Sequence, residues 1–162
     1  MIFFLGDLSW NHSIFNYADI IWGGCHKTYG KRLQVTQNFA ARSILGRSKL
    51  ESGKEALKEL KLLNLEQRRV VHESVFAHKG LCEKLPRNIQ KRFKLYQSKL
   101  YTRKSKNHKL NIPQHNLSKF KKSPIYRTIS SWNRAPTTLP FGKIKAHKTG
   151  FQKLLLDGKI DN

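Results

Sequence analysis

Acidic residues are scarce in this chain and missing from nearly half of it. From Lys84 to Leu156 there is no Asp or Glu, although the same stretch carries 19 Lys and Arg. That half has no carboxylate to ligate a metal, serve as a base or neutralise its own charge, so it leans on an outside polyanion. Cysteine is nearly absent too. Cys25 and Cys82 alone cannot build a disulfide framework and fit a reducing compartment, nuclear or cytoplasmic. Long apolar runs are missing: Met1 to Leu5 is apolar but Asp7 follows closely and no basic segment precedes it. No secretory signal and no membrane span is expected from this. With no amphipathic anchor or lipid site, no membrane partner is expected. The uncapped apolar start reads as a chain opening inside a larger polypeptide. No internal repeat and no Gly/Ser linker divides the chain, so residues 1–162 read as one domain.

Chemistry-bearing motifs are equally sparse. There is no Gly-x-Ser-x-Gly elbow, no phosphate-cradling Gly loop and no Cys-x-x-Cys pair. His72, His78 and Cys82 share helix-compatible spacing, and Cys25 adjoins His26. Two Cys would still need two matching His, so residues facing a core or partner explain the stripe better than zinc. The ten carboxylates are Asp7, Asp19, Glu51, Glu55, Glu59, Glu66, Glu73, Glu83, Asp157 and Asp161. Two-metal nucleases and polymerases need such groups clustered. Here Glu51, Glu55, Glu59, Glu66 and Glu73 sit among Lys and Arg on helices, where pairing at i, i+4 and solubility account for them. Tyr17-Ala18-Asp19-Ile20 lacks the second Asp of the polymerase motif Tyr-x-Asp-Asp. No metal, cofactor or catalytic residue is expected.

What the chain has in abundance is cationic charge: 32 Lys and Arg against 10 Asp and Glu, a net +22. Phe93, Tyr96, Tyr101, Phe120, Tyr126, Trp132, Phe141 and Phe151 are spread through the acid-free half. Cations supply phosphate contacts, and aromatics supply base-stacking faces or a small core. The expected nucleic-acid-binding residues are Lys99, Tyr101, Arg103, Lys104, Lys106 and Lys109, then Lys119, Phe120, Lys121 and Lys122. Arg68, Arg69, Lys91, Arg92, Lys94 and Arg127 extend the surface. Trp132 is expected in the core with Ile125 and Ile129, which lie at i, i+4 and i+7 with it.

The fold class expected is mainly α: a small helical domain with a long basic loop at about 97–123. A short helix near Ile14 to Trp22 ends at Gly23-Gly24. Leu33, Ala40, Ile44 and Leu45 mark a helix over Lys31 to Leu45, with Gly46 beyond its end. Ser52-Gly53-Lys54-Glu55 forms a capping box opening a helix with Leu57, Leu60 and Leu63. Asn64 with Gln67 opens another, running to about Cys82 with Val71, Val75, His78 and Cys82 on one stripe. A further helix is expected over Arg87 to Tyr96. In the loop, Pro113 and polar residues interrupt regular structure, leaving room for one short strand. Ser123-Pro124 opens the helix bearing Ile125, Ile129 and Trp132. A last helix covers Lys143 to Leu156, with Ile144, Phe151 and Leu155.

The order of these pieces carries a likeness. Tyr17…Trp22-Gly23 is followed by Leu33-Gln34…Gln37-Asn38…Ala41-Arg42-Ser43-Ile44, then Leu57…Leu60…Leu63 and Arg68-Arg69. Leu85-Pro86, Tyr101-Thr102-Arg103, Leu110…Pro113, Lys122-Ser123, Ile129, Trp132-Asn133 and Phe151-Gln152-Lys153 complete the series. This resembles the region downstream of the polymerase core in reverse transcriptases of non-LTR retrotransposons, the LINE-like and jockey-like elements. It covers about residues 14 to 156. The resemblance implies an RNA-directed DNA polymerase, often with an endonuclease domain ahead, of which this chain is an accessory fragment. Its partners would be RNA or an RNA–DNA hybrid and an upstream polymerase core. The catalytic carboxylates of that family lie upstream and have no match here. Arg134-Ala135-Pro136 departs from the Leu-Pro expected after Trp-Asn, and the C-terminal Cys/His knuckle of some relatives is absent. The alternatives are a stand-alone structural RNA-binding protein, and a metal-dependent nuclease using Asp7, Asp19 and Glu51.

Overall fold

The computed structural model describes residues 18–97, 109–114, 116–134 and 144–157. The chain is mainly helical, with α1 Asp19–Trp22, α2 Lys27–Ile44, α3 Gly53–Glu59, α4 Leu65–Leu81, α5 Arg87–Gln90, a 3-10 helix Ser118–Lys122, α6 Pro124–Arg134 and α7 Ile144–Leu156. The termini of these helices follow local chemistry. At α4 the Asn64 side chain accepts from Gln67 N (2.8 Å) and Gln67 Oε1 accepts from Asn64 N (3.2 Å), a complete capping box. At α3 Ser52 Oγ accepts from Glu55 N, and at α6 Ser123 Oγ accepts from Tyr126 N with Pro124 as the first helical residue. Each satisfies a backbone donor that the first turn leaves open. Gly46, at φ 64°, supplies the left-handed residue after α2.

Helix α4 is the centre. Helices α6 and α7 both pack on it, α1 and α5 lie against it, and α2 pairs with α3 as a helical hairpin alongside. Three apolar clusters result. Ala77, Phe93, Leu110, Ile129 and Trp132 join α4 to α6 and the 109–114 segment. Val71, Phe151 and Leu155 join α4 to α7, and Ala41, Ala56 and Leu57 close the α2–α3 hairpin. Ile129 and Phe151 are fully buried and Trp132 is buried, as their helical spacing predicts. Full burial of side chains of this size stabilises by roughly 1.5–3 kcal/mol each.

Three expectations are corrected, and the helix expected over Lys31 to Leu45 is present as α2 with a different buried face. The helix predicted over Arg87 to Tyr96 stops at Gln90. The chain then turns so that Phe93 can pack where a Cβ on Gly80 would stand, and Leu95 forms an isolated antiparallel bridge with Leu110. Gly23 ends α1 with a right-handed φ of −58°, so the Gly pair is there for close approach and not for a left-handed cap. On α2 the buried residues are Gln37 and Ala41, whereas Leu33, Ala40, Ile44 and Leu45 are only half-buried. Glu73 does not serve local helix pairing: it is buried and bonded across the α4–α6 seam. No helix among the described residues is long and apolar enough to cross a membrane.

Candidate nucleic-acid interface

The site is easiest to see after removing the polar residues that the fold uses up. Helix α4 carries Glu73, Ser74 and His78 on buried positions, and buried polar groups persist only when paired. Glu73 Oε1 accepts from Arg127 Nε (2.9 Å) and Oε2 from Ser131 Oγ (2.6 Å). Ser74 Oγ is hydrogen-bonded to His147 Nε2 at 3.0 Å. The His147 ring packs against both His78, at 4.7 Å between centroids, and Trp132, stacked at 5.3 Å. Asp19 is buried where α1 meets α4 and accepts from His72 Nδ1. On the hairpin, Arg47 pairs with Glu51 and Glu59.

Several residues expected to contact nucleic acid belong to this internal framework. Besides Glu73, the Arg127 guanidinium donates to the Ile20 and Lys122 carbonyls. The Arg69 guanidinium lies 5.0 Å from the Trp22 ring centre and donates to Gly23 O. These two arginines flank the Gly23-Gly24 turn so tightly that a Cβ on either glycine would come closer than 3.0 Å to them or to neighbouring backbone. Arg68 is half-buried, and burial lowers its pKa while Asp19 works to raise it. Lys109 Nζ donates to Asn133 O, and burial lowers its pKa too. Arg69, Lys109 and Arg127 are therefore engaged within the fold, and Arg68 is half-buried near Asp19. Phe120 sits edge-on to Tyr126, 6.1 Å between centroids, and is half-buried.

The remaining described cations face solvent. Lys119, Lys121 and Lys122 lie on the 3-10 helix, and Lys91, Arg92 and Lys94 follow α5; all six are exposed. Lys99, Tyr101, Arg103, Lys104 and Lys106 lie outside the described residues. The 3-10 helix leads into α6 through Ser123, and its last residue meets the α1–α2 turn, since the Lys122 carbonyl stands where a Cβ on Gly24 would go. That contact places the lysine turn beside the start of α2, a helix whose sequence does not mark it as part of the site. Lys27, Lys31 and Arg32 are exposed there. Exposure is a tertiary property, and nothing in their local pattern distinguishes these cations from others on amphipathic helices.

Comparison with family models, curated proteins and solved structures found no match to this chain. The landmarks that carry the likeness in the sequence nonetheless have visible jobs in the fold. Asn133 grips the Leu110 backbone in both directions: Leu110 N donates to Asn133 Oδ1 (2.8 Å) and Asn133 Nδ2 donates to Leu110 O (2.9 Å). Trp132 beside it fills the core. Gln34 Oε1 accepts from Leu65 N (2.9 Å), Gln37 Nε2 donates to Leu63 O (3.0 Å), and Gln34 Nε2 bonds both Gln37 and Asn38. Together they fix the turn into α4 against α2. Arg42 Nη1 donates to Glu51 O, and a Cβ on Gly53 would meet Asn38 closer than 3.0 Å. These landmarks are clamps of the fold, whereas among the exposed described lysines only Lys122 and Lys153 belong to the series; Tyr17 and Tyr101-Thr102-Arg103 lie outside the described residues.

No group of three or more His, Cys, Asp or Glu gathers among the described residues to hold a metal. Of the stripe His72, His78 and Cys82, His72 turns to Asp19, while Cys82 Sγ lies 3.6 Å from His78 Nδ1. For the nuclease alternative, Asp7 lies outside the described residues, Asp19 is held by His72, and Glu51 accepts from Ser48 N and pairs with Arg47.

Proposed function

We propose that this chain is a nucleic-acid-binding accessory region of an RNA-directed DNA polymerase of the non-LTR retrotransposon type, following the polymerase core and lacking catalytic carboxylates. Its own biochemistry is electrostatic binding of RNA or of the RNA–DNA hybrid, holding template and primer beside the core. The observation that carries the reading is the fate of charge. The buried carboxylates Asp19 and Glu73 are spent inside the molecule, while Lys119, Lys121 and Lys122 stay exposed with no described carboxylate paired to them. A net +22 whose buried acids are engaged internally is offset best by a phosphate polymer. The retroelement part rests on the order of the landmarks along the sequence, of which Gln34, Gln37 and Asn133 each hold a turn or segment of the fold.

The test is a salt titration of RNA binding. A log–log slope of about −2 or steeper is expected, from release of several counterions; a shallower slope overturns the reading. The retroelement assignment is tested separately by the DNA immediately 5′ of this reading frame, which should encode a polymerase with a Tyr-x-Asp-Asp motif. A frame without one would favour a stand-alone structural RNA-binding protein, which the charge fits equally well.

A further inference from the structure

Helix α2 presents an outward face that the other described residues leave uncovered. Tyr29 is 61% exposed, Val35 62% and Phe39 49%, although each is large and apolar enough to be placed in a core. At 100° per residue Tyr29, Arg32, Thr36 and Phe39 fall within a quarter-turn of one another, and Val35 borders them. Gln37 and Ala41, the buried positions, lie on the opposite side against α3 and the turn into α4. The aromatic pair is about 15 Å apart along the axis, from ten residues at the helical rise.

The chemistry around that face is cationic. No Asp or Glu occurs between Ile20 and Leu50; exposed Arg32 lies on the face itself and exposed Lys31 borders it beyond Val35, whereas exposed Lys27 projects from the far side at the start of α2. Cations at that end oppose the helix dipole, and α2 has no acidic residue in its first turn. These charges are therefore not there to stabilise the helix. They continue instead from Lys119, Lys121 and Lys122, because the Lys122 carbonyl abuts Gly24 at the entrance to α2.

We infer that the α2 face is a single-strand platform, on which unpaired bases of RNA stack on Tyr29 and Phe39 while Arg32, the bordering Lys31 and the 3-10 lysines follow the phosphates. The inference deepens the nucleic-acid reading and rests on it. Charge alone attracts any phosphate polymer, whereas aromatic faces are useful only to bases that are not already stacked in a duplex. An acid-free, cation-flanked aromatic face suits a polyanion with planar apolar groups better than it suits another protein, whose apolar anchor would gain nothing from the surrounding Lys and Arg.

The experiment is fluorescence anisotropy with the full chain, using a labelled single-stranded RNA and a duplex of the same length. The double substitution Tyr29→Ala with Phe39→Ala is expected to weaken single-strand binding about tenfold or more and to leave duplex binding within about twofold. Tyr29→Phe in the Phe39 background should bind like the parent, because the ring face is kept. Both positions are exposed, so thermal melts of the variants should match the parent and rule out misfolding. Equal single-strand affinity for the double variant and the parent overturns the inference, as does parallel loss of both ligands. Sedimentation showing a dimer that the double substitution dissolves would also overturn it, reassigning the face to a second copy. If the parent binds neither ligand, the failure is that of the nucleic-acid reading itself.

Discussion

Lys122 and Arg127 are five residues apart, and their side chains have opposite fates. Arg127 is drawn into the α4–α6 seam, where its guanidinium meets Glu73 and the Ile20 carbonyl with little solvent around it. Lys122 and its neighbours Lys119 and Lys121 stand on a 3-10 turn, exposed. Both regions come from the same basic, acid-free stretch of sequence. In the seam, charge joins one helix to another; on the turn, charge faces solvent. Composition counts the two alike, and only the position of one buried carboxylate separates them.

The largest effect should come from breaking the seam. Replacing Glu73 with Ala removes the acceptor for both Arg127 and Ser131 and strands a half-buried guanidinium, which should cost about 3–5 kcal/mol. Urea unfolding monitored by far-UV circular dichroism measures it, and a loss below about 1 kcal/mol would show that Arg127 is as free as the turn lysines. Trp132→Ala, at the other end of the same seam, should cost about as much, roughly 3–5 kcal/mol, through lost burial against Ile129 and His147. If this variant kept its stability but lost RNA binding, Trp132 would belong to the ligand surface instead.

A second-tier effect isolates the Asn133 clamp. With Asn133→Ala the Leu110 N–H and C=O lose their partners while Leu110 is otherwise buried. An unsatisfied buried polar group costs about 1–3 kcal/mol, so a loss of about 2–4 kcal/mol is expected, with faster amide exchange across 109–114. Exchange unchanged at Leu110 would mean that the bridge to Leu95 suffices alone. Gly24→Ala sits between this class and the surface. Its Cβ would press on the Lys122 carbonyl and Arg127, forcing the lysine turn away from the seam, for about 1–3 kcal/mol.

Which of these features the sequence discloses follows from distance along the chain. Caps act within three residues, so Ser52, Asn64 and Ser123-Pro124 mark helix starts that the structure keeps. Periodic apolar residues likewise identify the buried faces of α6 and α7. Glu73 finds its partners 54 and 58 residues away, and Gln37 reaches Leu63 across 26; neither pairing leaves a local trace. The basic loop is readable as a composition, but the division of its cations between scaffold and surface is not, since that depends on which helices meet. Tyr29 and Phe39 are invisible as site residues for the converse reason: an aromatic on a helix looks the same in sequence whether it faces inward or out.

The smallest stability effect, and the sharpest contrast with Glu73→Ala, belongs to the turn. Converting Lys119, Lys121 and Lys122 together to Gln removes no described ion pair, so unfolding free energy should stay within about 0.5 kcal/mol. At low salt the melting temperature should rise slightly, because three charges are taken from a chain carrying +22. Nucleic-acid affinity should fall by a similar factor for every sequence, and the salt slope should shrink by about 1 for each phosphate that a turn lysine neutralises in the parent. If the triple variant instead melted several degrees lower and kept its salt slope, the turn would be part of the scaffold. Charge in the turn and charge in the seam would then serve one purpose, and the +22 would need another outlet.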